Sequence, residues 1–151
     1  MASLSPYLNF KGNCEEAFNF YKSVFGGEFQ FLGRFKDMPP MEGAPQMTEE
    51  AGNKVMHVSL PIGPDTFLFG SDTGGEWSNN FKEGNNIQIS VNADSKEEAD
   101  RLYNGLSAGG QKTMPMADTF WGAYFGMLTD KYGINWMLNH DAKPEGQASQ
   151  N

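Results

Sequence analysis

The chain has a single cysteine, Cys14, so no internal disulfide can form, and the fold must rest on packing in a way that suits a reducing compartment. Positive charge is also scarce. Eleven Lys and Arg face nineteen Asp and Glu, giving a net charge of −8 and a pI of about 4.6. Without a basic patch to displace counterions, nucleic-acid backbones are excluded as partners and other acidic partners are disfavoured. No apolar run approaches the ~20 residues needed to cross a bilayer. The first ten residues lack both the basic and the apolar region of a signal peptide. Together these absences lead us to expect a soluble, cytoplasmic protein with no nucleic-acid and no membrane partner. There are only two histidines, His57 and His140, and no Gly-rich strand-turn-helix of the kind that cradles a nucleotide-like cofactor.

What is present suits one ordinary domain. The 151 residues, 38% hydrophobic, are enough for a single core. Aromatics at 13% and nine methionines supply large, adaptable apolar surface that can line a concave pocket as well as fill a core.

The richest stretch is 118–140, which holds two of the three tryptophans. Two apolar runs, 123–128 and 134–138, flank a turn at 129–133 in which Asp130 precedes Gly133, so the stretch reads as a β-hairpin with aromatic sides. At the other end, 5–10 reads as a first strand. Asn13 reads as the N-cap of a helix with Glu16 at its third position; Ala17, Phe20, Tyr21, Val24 and Phe25 follow at helical spacing, and Gly26 and Gly27 end it. The same pattern recurs later: a strand over 87–91, a capping box from Ser95 to Glu98, an apolar face of Ala99, Leu102, Tyr103 and Leu106, and a stop at Gly109 and Gly110. Glu15, Glu16, Ala17 and Tyr21 map onto Glu97, Glu98, Ala99 and Tyr103 at one offset, 97 − 15 = 82, the signature of an internal repeat. Strands are expected over 29–35, 55–62 and 66–70 in the first half, and over 111–114 and through the hairpin in the second. The expected fold class is therefore α+β: two β-α-β-β-β modules, about 5–72 and 86–140, whose sheets curve around a shared, cup-like cavity within one domain, 1–140. The segments 36–53 and 72–85 are long and rich in Gly, Pro or Asn and read as a flap or as flexible insertions. The tail 141–151 has no apolar periodicity and is expected to be disordered.

These residues also resemble a known family. Pro6-Tyr7-Leu8-Asn9-Phe10 with Gly12, Glu16-Ala17, Phe20-Tyr21 and Phe25-Gly26-Gly27, together with Asp118, Phe120-Trp121-Gly122, Gly126, Asp130, Gly133 and Trp136, are similar to the PhnB-like branch of the glyoxalase/bleomycin-resistance (vicinal oxygen chelate) superfamily. The resemblance spans 5–140 and implies paired β-α-β-β-β modules, a homodimer and an open, cup-like site. Members of this branch are often named demethylubiquinone methyltransferases. Enzymes of the superfamily hold a divalent metal through His, Glu or Gln on the first and last strands of each module. Aligned by its helix and turn landmarks, this chain places Pro6, Asn86, Met137 and the run Phe67, Leu68, Phe69 and Gly70 at those positions. A one-residue shift would bring Asn9, Gln88 or Asn135 instead, and amides alone hold metals weakly. The resemblance thus leads us to expect no metal and no other cofactor.

The expected function is metal-free binding of a small apolar or aromatic molecule in a cup-shaped pocket. The rival readings are a metal-dependent isomerase, lyase or dioxygenase and an antibiotic-sequestering protein. Trp121 and Trp136 are the candidate stacking surfaces, with Phe120 and Tyr124 beside them. His57, Asn9 and Gln88 are the candidates to orient the ligand. For His57 a satisfied structural histidine and a pocket histidine both remain open, and each aromatic has a core reading as well. Asp118 and Asp130 read as turn residues. Cys14, at a helix start, could carry a depressed pKa, but no His or Asn signature accompanies it.

Overall fold

A computed structural model describes residues 2–39, 43, 46–73 and 80–141. The chain divides into two compact units, Met1–Lys82 and Glu83–Asn151.

The first unit contains β1 (Tyr7–Phe10), α1 (Cys14–Phe25), β2 (Phe31–Arg34), a short 3-10 turn (Phe35–Asp37), α2 (Glu49–Gly52), β3 (Val55–Gly63) and β4 (Thr66–Asp72). Its sheet runs β1-β4-β3-β2, with β1 parallel to β4 and the other pairs antiparallel. The second unit contains β5 (Ile89–Asn92), α3 (Lys96–Ser107), β6 (Gln111–Asp118), β7 (Ala123–Thr129) and β8 (Asn135–Asp141). Its sheet repeats the order as β5-β8-β7-β6, again with the outer pair β5 and β8 parallel. Each unit is thus β-α-β-β-β, as the repeat implies, and the offset of 82 relates both bounds of α1 to α3 and of β1 to β5 (14 + 82 = 96, 7 + 82 = 89).

Each helix packs its apolar stripe on one face of its own sheet. In α1, Ala17, Phe18, Tyr21 and Val24 are buried and meet Leu8, Val58, Leu60 and Leu68, all at most 8% exposed. Phe18 lies edge-on to Phe10 and to Tyr21, at 6.1 and 5.4 Å between centroids. Close approach is possible because residue 70 is glycine: a Cβ there would run into the Phe18 ring. In α3, Ala99, Leu102, Tyr103 and Leu106 cover Leu128, Trp136 and Leu138. Burying side chains of this size contributes roughly 1.5–3 kcal/mol each.

The first helix starts differently from expectation. Asn13 makes no side-chain cap bond. The carboxylate of Asp72, at the end of β4, does the work instead: Oδ1 accepts from the backbone N–H of Gly12 (3.0 Å) and Cys14 (2.9 Å), and Oδ2 accepts from that of Val55 (2.9 Å). In α3 the cap is local. Ser95 Oγ accepts from Glu98 N–H, while Glu98 Oε1 accepts from Asp94 N–H, one residue before the cap.

Other expectations are corrected in extent. β6 continues to Asp118 rather than ending at Met114, because a bulge between Met114 and Ala117 carries the strand past Pro115 and the pairing with β7 resumes at Ala117. The segment 36–53 ends in α2, capped by Thr48, whose hydroxyl accepts from Ala51 N–H. Residues 40–42, 44–45 and 74–79 of the two long connections and 142–151 of the tail lie outside the described residues. Asp141, placed by its sequence in that tail, is the last residue of β8.

Candidate functional site

Period-two alternation gives each sheet a second face, opposite its helix. In the first unit the pairing Phe31↔Ser59↔Phe69↔Tyr7 sets one row across this face. Gly33↔His57 and Ser71↔Asn9 belong to the next row. Aromatic rings converge on His57. Its ring lies 5.5 Å from Tyr7, 5.5 Å from Phe69 and 6.0 Å from Phe31, and Phe67 stacks on Phe69 at 5.9 Å with nearly parallel planes. The Tyr7 hydroxyl is hydrogen-bonded to His57 Nδ1 at 3.1 Å, which leaves Nε2 as the ring's other polar atom. Gly33 makes room for this cluster, since a Cβ there would stand 2.8 Å from the Phe31 ring. Tyr7 and Phe31 remain about half exposed, at 47% and 49%. Asn9 is on the same face, where its Oδ1 accepts from Ser71 Oγ at 3.3 Å.

Tyr7, Phe31, Phe67 and Phe69 did not figure among the expected site residues. Their signal is in the sequence all the same. Once Leu8, Phe10 and Leu68 are assigned to the helix side, alternation sends Tyr7 and Asn9, and Phe67 and Phe69, to the other.

In the second unit the expected residues separate. Phe120 and Trp121 lie in the β6–β7 turn, 98% and 61% exposed, with their rings 5.0 Å apart and Trp121 6.3 Å from Phe125. Gln88 is exposed just ahead of β5. Trp136 is on the α3 side, 1% exposed, its Nε1 donating to Asp130 Oδ2 at 2.8 Å. Tyr124 is on that side too and donates to Asp100 Oδ1 of α3 at 2.6 Å. Packing roles therefore replace the ligand contacts expected of Trp136 and Tyr124: even-numbered positions of β7 and β8 face the helix. His140 is half-buried, with Nδ1 2.9 Å from Ala93 O. Asp130 is a turn residue as expected, but a buried one.

The Asp100 hydrogen bond, with burial and the Asp100 and Asp118 charges behind it, pushes the Tyr124 phenol up to about 12. A pKa raised by folding stabilises the protein fully below the unfolded value near 10 and loses that stabilisation as pH rises through about 12. We expect Tyr124→Phe to be modestly less stable at neutral pH and to show a shallower loss of stability between those two pH values in alkaline denaturation. Burial pushes the Cys14 thiol well up, with Asp72 and Glu15 adding to the effect. The Cys14 side chain is also fully buried.

A polar groove of about 530 Å³ is lined by Glu15, Arg34, Lys54 and Asp72 among others. Arg34 and Glu15 form an ion pair within it. Arg34 donates to both carboxylate oxygens of Glu15 (2.9 and 2.8 Å) and to Asn53 O, and Lys54 Nζ donates to Gly12 O. The Arg34 guanidinium holds the Glu15 carboxyl below its ordinary value.

The divalent site of vicinal oxygen chelate enzymes does not fit the donors that either sheet offers. On the first sheet, His57 is surrounded by rings. On the second, the last-strand position is the thioether of Met137, flanked on the same face by the amides of Asn135 and Asn139. Among the described residues no group of three or more His, Cys, Asp or Glu converges. No described helix is long and apolar enough to cross a membrane.

Comparison with known proteins agrees with this architecture. The family described as 3-demethylubiquinone-9 3-methyltransferase matches residues 2–139. Protein YjdN of Escherichia coli is 30% identical over 142 residues, covering 90% of this chain and 93% of its own. Among solved structures, protein PA1353 from Pseudomonas aeruginosa superposes with a TM-score of 0.76 at 37% identity, over 93% of this chain and 98% of that one. A putative 3-demethylubiquinone-9 3-methyltransferase, PhnB protein, from Bacillus cereus does so with a TM-score of 0.70 at 27% identity, over 92% and 99%. At 18% identity and a TM-score of 0.60, a glyoxalase/bleomycin resistance protein/dioxygenase family enzyme from Burkholderia phytofirmans shares the fold, covering 92% of this chain and 98% of its own.

Proposed function

Because the chain belongs to the family described as 3-demethylubiquinone-9 3-methyltransferase, the PhnB-like branch of the glyoxalase/bleomycin-resistance superfamily, we propose that it binds a small apolar or aromatic molecule on the His57 face of its first sheet, without a divalent metal. The observation that carries this reading is the convergence of Tyr7, Phe31 and Phe69 on His57. Three rings supply stacking surface, and a histidine held by Tyr7 through Nδ1 keeps a second nitrogen to fix a polar group of the ligand. Asn9 places an amide on that face, beside Ser71. Phe120 and Trp121, exposed in their turn, are the expected aromatics of the second half that stay available to a ligand. The two modules act as one domain and as a homodimer in the cytoplasm. Methyl transfer is no part of the proposal, because the sequence has no Gly-rich strand-turn-helix to hold a nucleotide-like donor.

The test is a titration of the full chain with 2-naphthol, a planar probe with one hydroxyl. Phe69→Ala removes stacking area worth about 1–2 kcal/mol and is expected to weaken binding roughly tenfold. His57→Ala should weaken it several-fold, while Tyr124→Phe, on the helix side, should leave it unchanged. Equal affinity in wild type, Phe69→Ala and His57→Ala would remove the face from consideration.

A further inference from the structure

The second sheet carries a different feature on its helix-free face. Met114 of β6 is paired with Met127 of β7, and Met127 with Met137 of β8. Directly paired residues share a face with Cβ atoms about 4.5–5.5 Å apart. Three of the nine methionines therefore stand side by side across three adjacent strands. Two bulges in β6 set this arrangement: from Lys112 to Met114 the strand takes two steps while its partner takes one, Leu128 to Met127, which brings Met114 opposite Met127. From Met114 to Ala117 the strand takes three steps while its partner takes two, Met127 to Phe125. Without that extra residue Met114 and Met116 would share a face. With it, Met116 goes to the α3 side, where its Sδ would stand 2.6 Å from a Cβ on Gly126. Met127 and Met137 are half-buried and Met114 is 42% exposed, so the row is reachable at one end and shielded at the other.

We propose that Met114, Met127 and Met137 form a binding site for one soft monovalent cation, Cu(I) or its redox-inert counterpart Ag(I). Thioethers are soft, uncharged donors that select Cu(I) over the hard and borderline divalent ions that carboxylates and imidazoles hold. Methionine's unbranched side chain has the freedom to bring three sulfurs from neighbouring strands onto one ion. The position next in the row, on β5, is Ser90, paired with Met137, so no carboxylate in the row competes for a harder ion. This site lies wholly in the second unit and is independent of the His57 reading, which can fail while it stands.

The test is calorimetry of the full chain with silver nitrate in chloride-free buffer, read alongside methionine-methyl NMR. One Ag(I) per chain is expected, with three methyl signals shifting together. The volume-conserving triple variant Met114→Leu, Met127→Leu, Met137→Leu should lower the affinity at least about 30-fold, Met127→Leu alone should lower it about tenfold, and Met116→Leu should leave it within about twofold. If the triple variant misfolds, Met127→Leu decides. Absence of stoichiometric Ag(I) binding, undiminished binding in Met127→Leu, or loss of binding in Cys14→Ala, which would place the ion on the thiol, each overturns the proposal.

Discussion

Asp72→Ala is expected to lower the unfolding free energy by about 3–5 kcal/mol, because it strands three backbone donors at a buried site and leaves no side chain able to reach them. The native carboxylate is 4% exposed and accepts from Gly12, Cys14 and Val55. Hydrogen bonds to a charged acceptor contribute about 1.5–3 kcal/mol each, and a buried donor left unpaired costs about 1–3 kcal/mol; the total falls below the sum because water can reach the start of α1. In a chain of this length that corresponds to a fall in melting temperature on the order of 10 °C. Asp72→Asn should cost less, since one oxygen remains, but not nothing, because its amide would point an N–H at a backbone N–H. Thermal unfolding followed by circular dichroism measures both. Loss of less than about 1 kcal/mol in Asp72→Ala would mean that α1 does not depend on this carboxylate for its start.

Trp136 is the second residue on which stability should turn. It is 1% exposed, and its indole N–H donates to Asp130, whose other oxygen accepts from the backbone N–H of Tyr132 and of Ile134. The turn is closed further by Gly133 N–H to Asp130 O, with Gly133 at φ +89°. Trp136→Ala is expected to cost about 3–5 kcal/mol through the cavity it leaves. Trp136→Phe keeps most of the apolar volume but deprives a buried carboxylate of a donor, for about 1–3 kcal/mol. Combining Trp136→Phe with Asp130→Ala should be clearly less than additive in a denaturant double-mutant cycle, with a coupling above about 1 kcal/mol. Additive effects would show that the indole and the carboxylate act separately.

The two carboxylates mark the boundary of what the sequence discloses. Helix bounds were legible because local periodicity and glycine stops define them: the stop at Gly26 is observed, and the offset of 82 recovers α3 from α1. The acceptor that starts α1 was not legible, because a capping rule looks at the residue before the helix and Asp72 lies 58 positions from Cys14. Facing was only partly legible. Leu8 and Phe10 are buried in β1, whereas in β5 the inward residues are Ile89 and Val91, so an even offset that preserves strand bounds does not preserve which side faces the helix. The ring of Trp136 suggests a stacking surface, but its parity decides: Trp136 and Leu138 alternate with Asn135, Met137 and Asn139, a pattern that places the tryptophan inside. Conversely, His57 stands alone in the sequence as a titratable residue of its strand, while the rings around it come from β1, β2 and β4, and only the pairing of these strands with one another and with β3 brings them to one histidine.

This histidine and its rings are expected to form a ligand-binding face. It is tested most directly by NMR of the full chain with 2-naphthol, reading intermolecular contacts between probe protons and ring protons. Contacts to Tyr7, Phe31, His57 and Phe69 are expected, and they should disappear in Phe69→Ala. Contacts confined to other residues, with the His57 ring signals unmoved at saturating probe, would contradict that expectation.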